Sequence, residues 1–285
     1  MRRRDVLKGA GAGGLAGLAG ALLAPRVALS AEGRPDSEAA AALAELQQVL
    51  DRLEAKFATP EFKLRTPQDF AEARRVLLHA LLHGLETWLE SDPARPFFRS
   101  FIHQHKKLLG DNPDARYFSA VIDDRHRYRI RGNLSGATYT SFTIELAPDP
   151  SGPGVGTTLN DTQFEADANG DYEIILSREK VPGNWMALPA GATSVTTRHY
   201  YERKLSINND RLHHIPIDIE NLDSMPPRQP PNDEGIAAGI RRVAAFVQGN
   251  VVPVKAETSP PWVSRVPNQF VPPVVDDSNR DVGYA

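Results

Sequence analysis

The sequence predicts an α+β fold in which an N-terminal helical layer precedes an antiparallel jelly-roll-like β-sandwich, followed by a C-terminal helix with a Pro-rich tail. Three observations predict it. Apolar residues recur at three- and four-residue spacings up to residue 112. Short β-branched and aromatic runs, separated by Gly, Pro, Asn and Asp, then fill 113–225. A capped helical segment and a proline-rich end occupy 226–285.

The first thirty residues predict an export signal. Arg3 and Arg4 stand before an apolar pair and Lys8, which is the twin-arginine pattern, and an apolar run from 9 to 24 follows. Small residues before position 31 favour cleavage after Ser30. A membrane anchor is the alternative, but these sixteen residues are rich in glycine, and a spanning helix needs roughly twenty apolar ones. We therefore expect twin-arginine export to the periplasm and no membrane span after signal cleavage.

The amino-acid composition excludes several kinds of site and of binding partner. The chain has no cysteine, which excludes disulfides, thiolate nucleophiles and cysteine-ligated zinc. Without residues 1–30 it carries 28 basic and 35 acidic side chains, a net charge near −7. Because polyanion binding needs clustered lysine and arginine, we expect no nucleic acid partner.

Three helices are predicted in the 31–112 region. The first spans 37–57, with Asp36 as its N-cap and Pro60 as its stop. The second spans about 67–89 and has Pro67 in its first turn. A shorter third helix covers 97–109.

Seven strands are predicted in the sandwich region, and no helix separates them. They cover 117–122, 127–131, 139–146, 162–166, 172–177, 193–202 and 211–219. Asn169 and Gly170 predict a tight hairpin turn between the fourth and fifth of these strands, since both residues accept positive φ angles. This turn also explains the acidic residues around it better than a calcium loop does.

The last helix is predicted from about Asp233 to Gln248. Asn232 is its expected N-cap and Gly249 its expected end. The proline-rich tail from Pro253 onward is expected to be extended.

The second helix carries a possible metal site. His79, His83 and Glu86 lie at i, i+4 and i+7 and share one helical face, and two histidines with a carboxylate can hold a metal ion. This spacing is common by chance, and exposed or buried structural histidines are the default interpretation. We therefore expect no metal and no cofactor.

A row of arginines is the most unusual feature of the predicted strands. In residues 127–131, Tyr128 and Ile130 point to one face and three guanidiniums to the other, about 7 Å apart. Such a row needs either carboxylates opposite it or an anionic ligand. Pairing is the favoured alternative, and the candidate carboxylates lie on neighbouring predicted strands: Glu145, Glu165, Glu173 and Glu202.

Four short runs carry a family resemblance. Residues 183–189 read GNWMALP, 196–201 TTRHYY, 128–133 YRIRGN and 139–142 YTSF. They resemble the bacterial family named domain of unknown function twelve-fourteen, over about residues 114–220. The resemblance implies a jelly-roll-like sandwich in an exported protein, and it implies no reaction and no catalytic residues. The helices before the sandwich depart from the family pattern.

The leading functional hypothesis is binding of a small molecule or glycan. The candidate ligand-binding residues are Arg129, Arg131, Asn184, Trp185, Arg198 and Tyr200. In this hypothesis the arginines bind anionic groups and Trp185 packs against a ring. Alternatively, Trp185 fills the sandwich core and Asn184 caps a loop. A hydrolase or lyase using Glu and His or Tyr and Arg, and a protein-interaction module, remain open; the sequence specifies no catalytic residues and no oligomeric state.

Overall fold

The structure is a computed structural model that describes residues 37–149, 152–253 and 269. All of these residues belong to one compact unit that begins at Ser37. The predicted signal peptide and most of the proline-rich tail lie outside the described residues.

Three α-helices are present in the described part of the chain: α1 (Glu38–Phe57), α2 (Pro67–Trp88) and α3 (Asp233–Asn250). Ser37, one residue after the predicted cap Asp36, caps α1 by accepting a hydrogen bond from the Ala40 backbone N–H. Asn232 caps α3 as predicted, although that helix continues one residue past Gly249.

The three helices form a bundle with its own apolar core. Side chains from all of them are buried there, namely Leu46, Val49, Leu53, Phe57, Leu77, Ala80, Val243, Ala244 and Val247. The Asp233 carboxylate at the start of α3 accepts hydrogen bonds of 2.6 Å from both the Ser37 hydroxyl and the Glu38 backbone N–H. The C-terminal helix therefore completes the N-terminal helical layer, which the sequence did not predict.

The predicted third helix over 97–109 is wrong. Residues Arg99–Ile102 form a strand, β1, which pairs antiparallel with the next strand. Phe and Ile favour extended backbone where a partner strand is present, and this tertiary pairing overrides a weak helical pattern. After β1 the chain folds back on itself, so that His103 and Lys106 exchange two backbone hydrogen bonds of 3.0 Å.

The remaining strands are β2 (Ala115–Val121), β3 (Tyr128–Asn133), β4 (Tyr139–Asp149), β5 (Gly152–Asn160), β6 (Asp171–Ser177), β7 (Trp185–Ala187), β8 (Ala192–Tyr200) and β9 (Ile217–Asn221). They form a five-stranded sheet in the order β1-β2-β8-β4-β5 and a four-stranded sheet in the order β7-β6-β3-β9. Every neighbouring pair is antiparallel except β6 and β7, which run parallel.

The two sheets pack face to face around one apolar core. Tyr128, Ile130 and Ile174 of the four-stranded sheet meet Phe142, Ile144 and Val195 of the five-stranded sheet, and all six side chains are fully buried. Most connections cross from one sheet to the other, as in a jelly roll: β2 to β3, β3 to β4, β5 to β6, β7 to β8 and β8 to β9. The predicted α+β sandwich is confirmed.

The predicted hairpin around Asn169 and Gly170 is wrong, because the turn is present but does not join two paired strands. Gly170 has a φ of 85° in a tight turn, but residues 162–166 form no strand. The partners of β6 are β3, distant in sequence, and the short β7. Of the predicted strand over 211–219, only the last three residues are extended.

Candidate functional site

Strand β3 lies inside the four-stranded sheet and determines which charged side chains lie on that sheet's outer face. Tyr128 and Ile130 are fully buried between the sheets. Because side chains alternate along a strand, Arg129 and Arg131 project to the opposite face. The predicted alternation is confirmed.

The arginine row is paired with carboxylates on both neighbouring strands. Arg129 donates from Nε to Glu220 on β9 at 2.6 Å, and Arg131 donates from Nε to Glu173 on β6 at 3.0 Å. A further contact of 3.3 Å links Arg131 Nη1 to Glu220, so the two arginines and two carboxylates form one network. Arg127 pairs with Asp223.

Structural pairing, the favoured alternative, is therefore confirmed. Of the four candidate carboxylates named from the sequence, only Glu173 pairs with the row. Glu220 and Asp223 were missed, although Asp218 and Glu220 alternate with isoleucines in a way that signals an outward acidic face.

Beside this network lies a groove of about 900 Å³. Eight of the side chains that line it carry polar groups: Arg131, Glu165, Asp171, Tyr172, Glu173, Asn184, His214 and Asp218. Four further lining residues are apolar, namely Ile175, Pro182, Pro216 and Ile217. Four carboxylates against one guanidinium give the groove a negative charge.

Some of these polar groups are already bonded and others are not. Arg131 binds Glu173, and Asp171 accepts a 2.6 Å hydrogen bond from Asn133. Within the described residues, the side chains of Glu165, Asp218 and His214 make no hydrogen bond or ion pair. These three groups are therefore free to contact a ligand.

Asn184 stabilises the backbone at the rim of the groove. Its Oδ1 accepts from the Glu165 backbone N–H at 2.9 Å, and its Nδ2 donates to the backbone carbonyls of Glu165 and Glu173 at 2.8 and 3.0 Å. All of its amide groups are thus used by the backbone. The loop-capping alternative for Asn184 is confirmed.

Trp185 lies on the outer face, next to Ile175 in the parallel register of β6 and β7. Its indole N–H donates to the Ser177 hydroxyl at 2.9 Å. The alternative in which Trp185 fills the sandwich core is wrong, because its neighbour Met186 occupies that position.

Arg198 and Tyr200 lie elsewhere. Both are on β8, on the face of the five-stranded sheet that points away from the core. Arg198 donates to the Thr143 hydroxyl at 2.7 Å, and Tyr200 packs edge-on against Tyr139. The structure therefore brings Arg129, Arg131, Asn184 and Trp185 to one sheet and separates Arg198 and Tyr200 from them.

His79, His83 and Glu86 do share one face of α2, which is turned toward the segment after β1. There the ammonium group of Lys106, only 2% exposed, forms an ion pair with Glu86. Burial, with the nearby Lys106 charge, lowers the pKa of His83 to about 4. In the part of the chain that the structure describes, no three histidine or acidic side chains are grouped so that they could hold a metal ion.

Comparison with known proteins shows the fold but no activity. No family model matches the chain, and no curated protein matches it. The crystal structure of an uncharacterised protein from Burkholderia cenocepacia is similar, with a TM-score of 0.66 and 25% identity over 74% of this chain and 57% of that one. The chain thus spans little more than half of that protein's length. The VPA0106 protein from Vibrio parahaemolyticus has a TM-score of 0.28 and 15% identity, over 63% of this chain and 52% of that one.

Replacing Asn184 by aspartate should destabilise the protein. The substitution keeps the shape of the side chain, but it replaces an NH₂ group that donates to two carbonyl oxygens by a charged oxygen that can only accept. We expect the free energy of unfolding to fall by about 2–3 kcal/mol. Urea unfolding measures this loss. Asn169→Asp, whose side chain is exposed, is the matched control and should unfold like the wild type; equal midpoints for the two variants would refute the capping role.

Proposed function

We propose that this chain is an exported β-sandwich protein that binds a neutral, polyhydroxylated small molecule or glycan in the groove on the four-stranded sheet. One observation carries this proposal: the groove offers free Glu165, Asp218 and His214 side chains, while its guanidinium is already bonded to a carboxylate. Its volume of about 900 Å³ suits a ligand of one or two sugar rings.

The charge of the groove supports a neutral ligand. An anion would have to approach four carboxylates, and Arg131 already directs its Nε and Nη1 at Glu173 and Glu220. Hydroxyl groups, in contrast, donate readily to ionised carboxylates in short, strong hydrogen bonds. The anion-binding role first considered for Arg129 and Arg131 is therefore replaced by a structural one, in which the arginines hold the strands that form the groove.

The apolar part of the groove supports the same ligand class. Ile175, Pro182, Pro216 and Ile217 line it, and together they can cover the C–H faces of a sugar ring. Such a mixture of apolar surface with a few converging polar groups is typical of small-molecule sites.

The twin arginines and the apolar run that follows them support the proposal that the protein is exported. No helix in the described residues has the length and apolarity needed to cross a bilayer. The family resemblance over about 114–220 accords with an exported sandwich, so membership of that family is part of the proposal.

Asp218→Asn should weaken binding of a neutral sugar about tenfold, the loss of one charge-assisted hydrogen bond. The ligands to test are glucose, galactose, N-acetylglucosamine, maltose and cellobiose, with glucuronate as the anionic counterpart. Thermal-shift screening followed by calorimetry would measure the dissociation constants. At least one neutral sugar should bind, and glucuronate should bind less well than glucose.

Asp51→Asn, on the exposed side of α1, is the control and should leave binding unchanged. If no neutral sugar binds, or if glucuronate binds more tightly than every neutral sugar, the proposed function is wrong. Equal affinities for wild type and Asp218→Asn would contradict the position of the site.

Export can be tested in cells. Replacing Arg3 and Arg4 together by lysine should leave the full-length precursor in the cytoplasm, because this pathway reads the arginine pair. Fractionation and immunoblotting would show a shorter mature band in the periplasm for the wild type and for the control Arg26→Lys. A wild-type protein that remains at full length in the cytoplasm would refute export.

A further inference from the structure

The interior of the sandwich changes from apolar to polar at one end. This polar end lies where β2 begins, where β8 ends, and where the loop from 201 to 216 covers the opening between the sheets. Five residues define it: Arg116, Tyr172, Tyr201, Asn208 and His213.

Each of these five residues has a buried polar atom without a hydrogen-bond partner among the described residues. The atoms are Arg116 Nε, Tyr172 Oη, Tyr201 Oη, Asn208 Oδ1 and His213 Nε2. They are five of the eight such side-chain atoms in the described part of the chain. An unsatisfied buried polar group destabilises a fold, so five of them at one end of the core need an explanation.

Arg116, Tyr201 and His213 lie next to one another at the polar end. The rings of Tyr201 and His213 meet edge to face, with centroids 4.8 Å apart. Arg116 Nη2 donates to the backbone carbonyl of Asp210 at 2.6 Å, and the Asp210 carboxylate accepts from the His213 backbone N–H at 3.2 Å. These three residues are thus connected, and Tyr172 lies near enough to Tyr201 for that phenol to raise its pKa.

Other polar groups in the same interior are satisfied. His199, fully buried on β8, contacts the hydroxyls of Thr197 and Thr140 with its two ring nitrogens at 3.1 and 3.4 Å. Tyr128 receives a hydrogen bond from the Asp123 backbone N–H at 2.9 Å. Between the two sheets, the unsatisfied side-chain atoms of the described residues are therefore confined to the polar end.

The protonation states make the polar end a donor site. Burial raises the pKa of Tyr201 to about 12, although the charges of Arg116 and Arg203 oppose the shift. Burial also raises the pKa of Tyr172, and neighbouring Tyr201 adds to the effect. Both phenols keep their protons at neutral pH, so the two O–H groups and the Arg116 N–H are donors beside one positive charge.

We propose that the polar end is a second binding site, which adjoins the groove at Tyr172 and takes the oxygens of a small carboxylate on Tyr172, Tyr201 and Arg116. Two hydroxyl donors and a guanidinium match the acceptor oxygens and the charge of a carboxylate.

The loop from 201 to 216 controls entry. Ile207 and Ile215 anchor it in a small apolar cluster, while Leu205 and Leu212 of the same loop are largely exposed. The Arg203–Asp210 ion pair joins two parts of the loop, and the hydrogen bond from Arg116 to the Asp210 carbonyl ties the loop to β2. Opening of this loop admits the ligand, and its closure removes the carboxylate from water.

The test uses formate, acetate and succinate as probes, each compared with sodium chloride at equal ionic strength. At least one of them should raise the melting temperature of the mature protein by about 2–4 °C beyond chloride. Tyr201→Phe and Tyr172→Phe should abolish this increase. Both variants keep the ring and remove an unsatisfied hydroxyl, so without ligand they should melt at or above the wild-type temperature.

Two controls separate this site from others. Tyr200→Phe, on the outer face of the five-stranded sheet, and Asp218→Asn, in the groove, should both keep the increase. Loss of the increase in Asp218→Asn would overturn the proposal, because the carboxylate would then bind in the groove. The proposal also fails if carboxylates act no differently from chloride, or if Tyr201→Phe keeps the full increase. Lower stability of unliganded Tyr201→Phe, together with no carboxylate effect, would mean that ordered water alone satisfies these atoms.

Discussion

The arrangement of the four-stranded sheet depends on the alternation of side chains along β3. Burial of Tyr128 and Ile130 in the sandwich core forces Arg129 and Arg131 onto the outer face, about 7 Å apart. Two guanidiniums so close repel each other unless carboxylates lie between them. Strands β6 and β9 supply Glu173 and Glu220. The two strands that pair with β3 in the sheet therefore also carry the carboxylates that neutralise its arginines.

This pairing determines the chemistry of the groove. Since Arg131 is bonded to carboxylates, the groove keeps the negative charge of its acidic wall, and the free groups are Glu165, Asp218 and His214. A surface that looks cationic in the sequence is thus acidic in the fold. The donor-rich, positively charged environment lies instead inside the sandwich, around Arg116. The two regions therefore suit ligands of different charge.

Secondary-structure elements that depend on a local residue pattern could be predicted from the sequence. Features that depend on the order of strands in the sheets could not. Helical periodicity located α1, α2 and α3, and alternation located β2, β3, β4, β6 and β8. The glycine-rich β5 and the three-residue β7 carry too weak a pattern. The six candidate site residues were divided because nothing local shows that β3 and β8 belong to different sheets. The polar end was missed for the same reason, since its residues come from β2, β6 and the loop after β8.

The central claim is that Arg129 and Glu220 are bonded to each other and not held ready for a ligand. A double-mutant cycle with Arg129→Gln, Glu220→Gln and the double variant measures this directly by urea unfolding. A favourable coupling free energy of about 0.5–1 kcal/mol is expected for a partly exposed pair of this geometry. A coupling free energy of zero, with both single variants as stable as the wild type, would contradict the account.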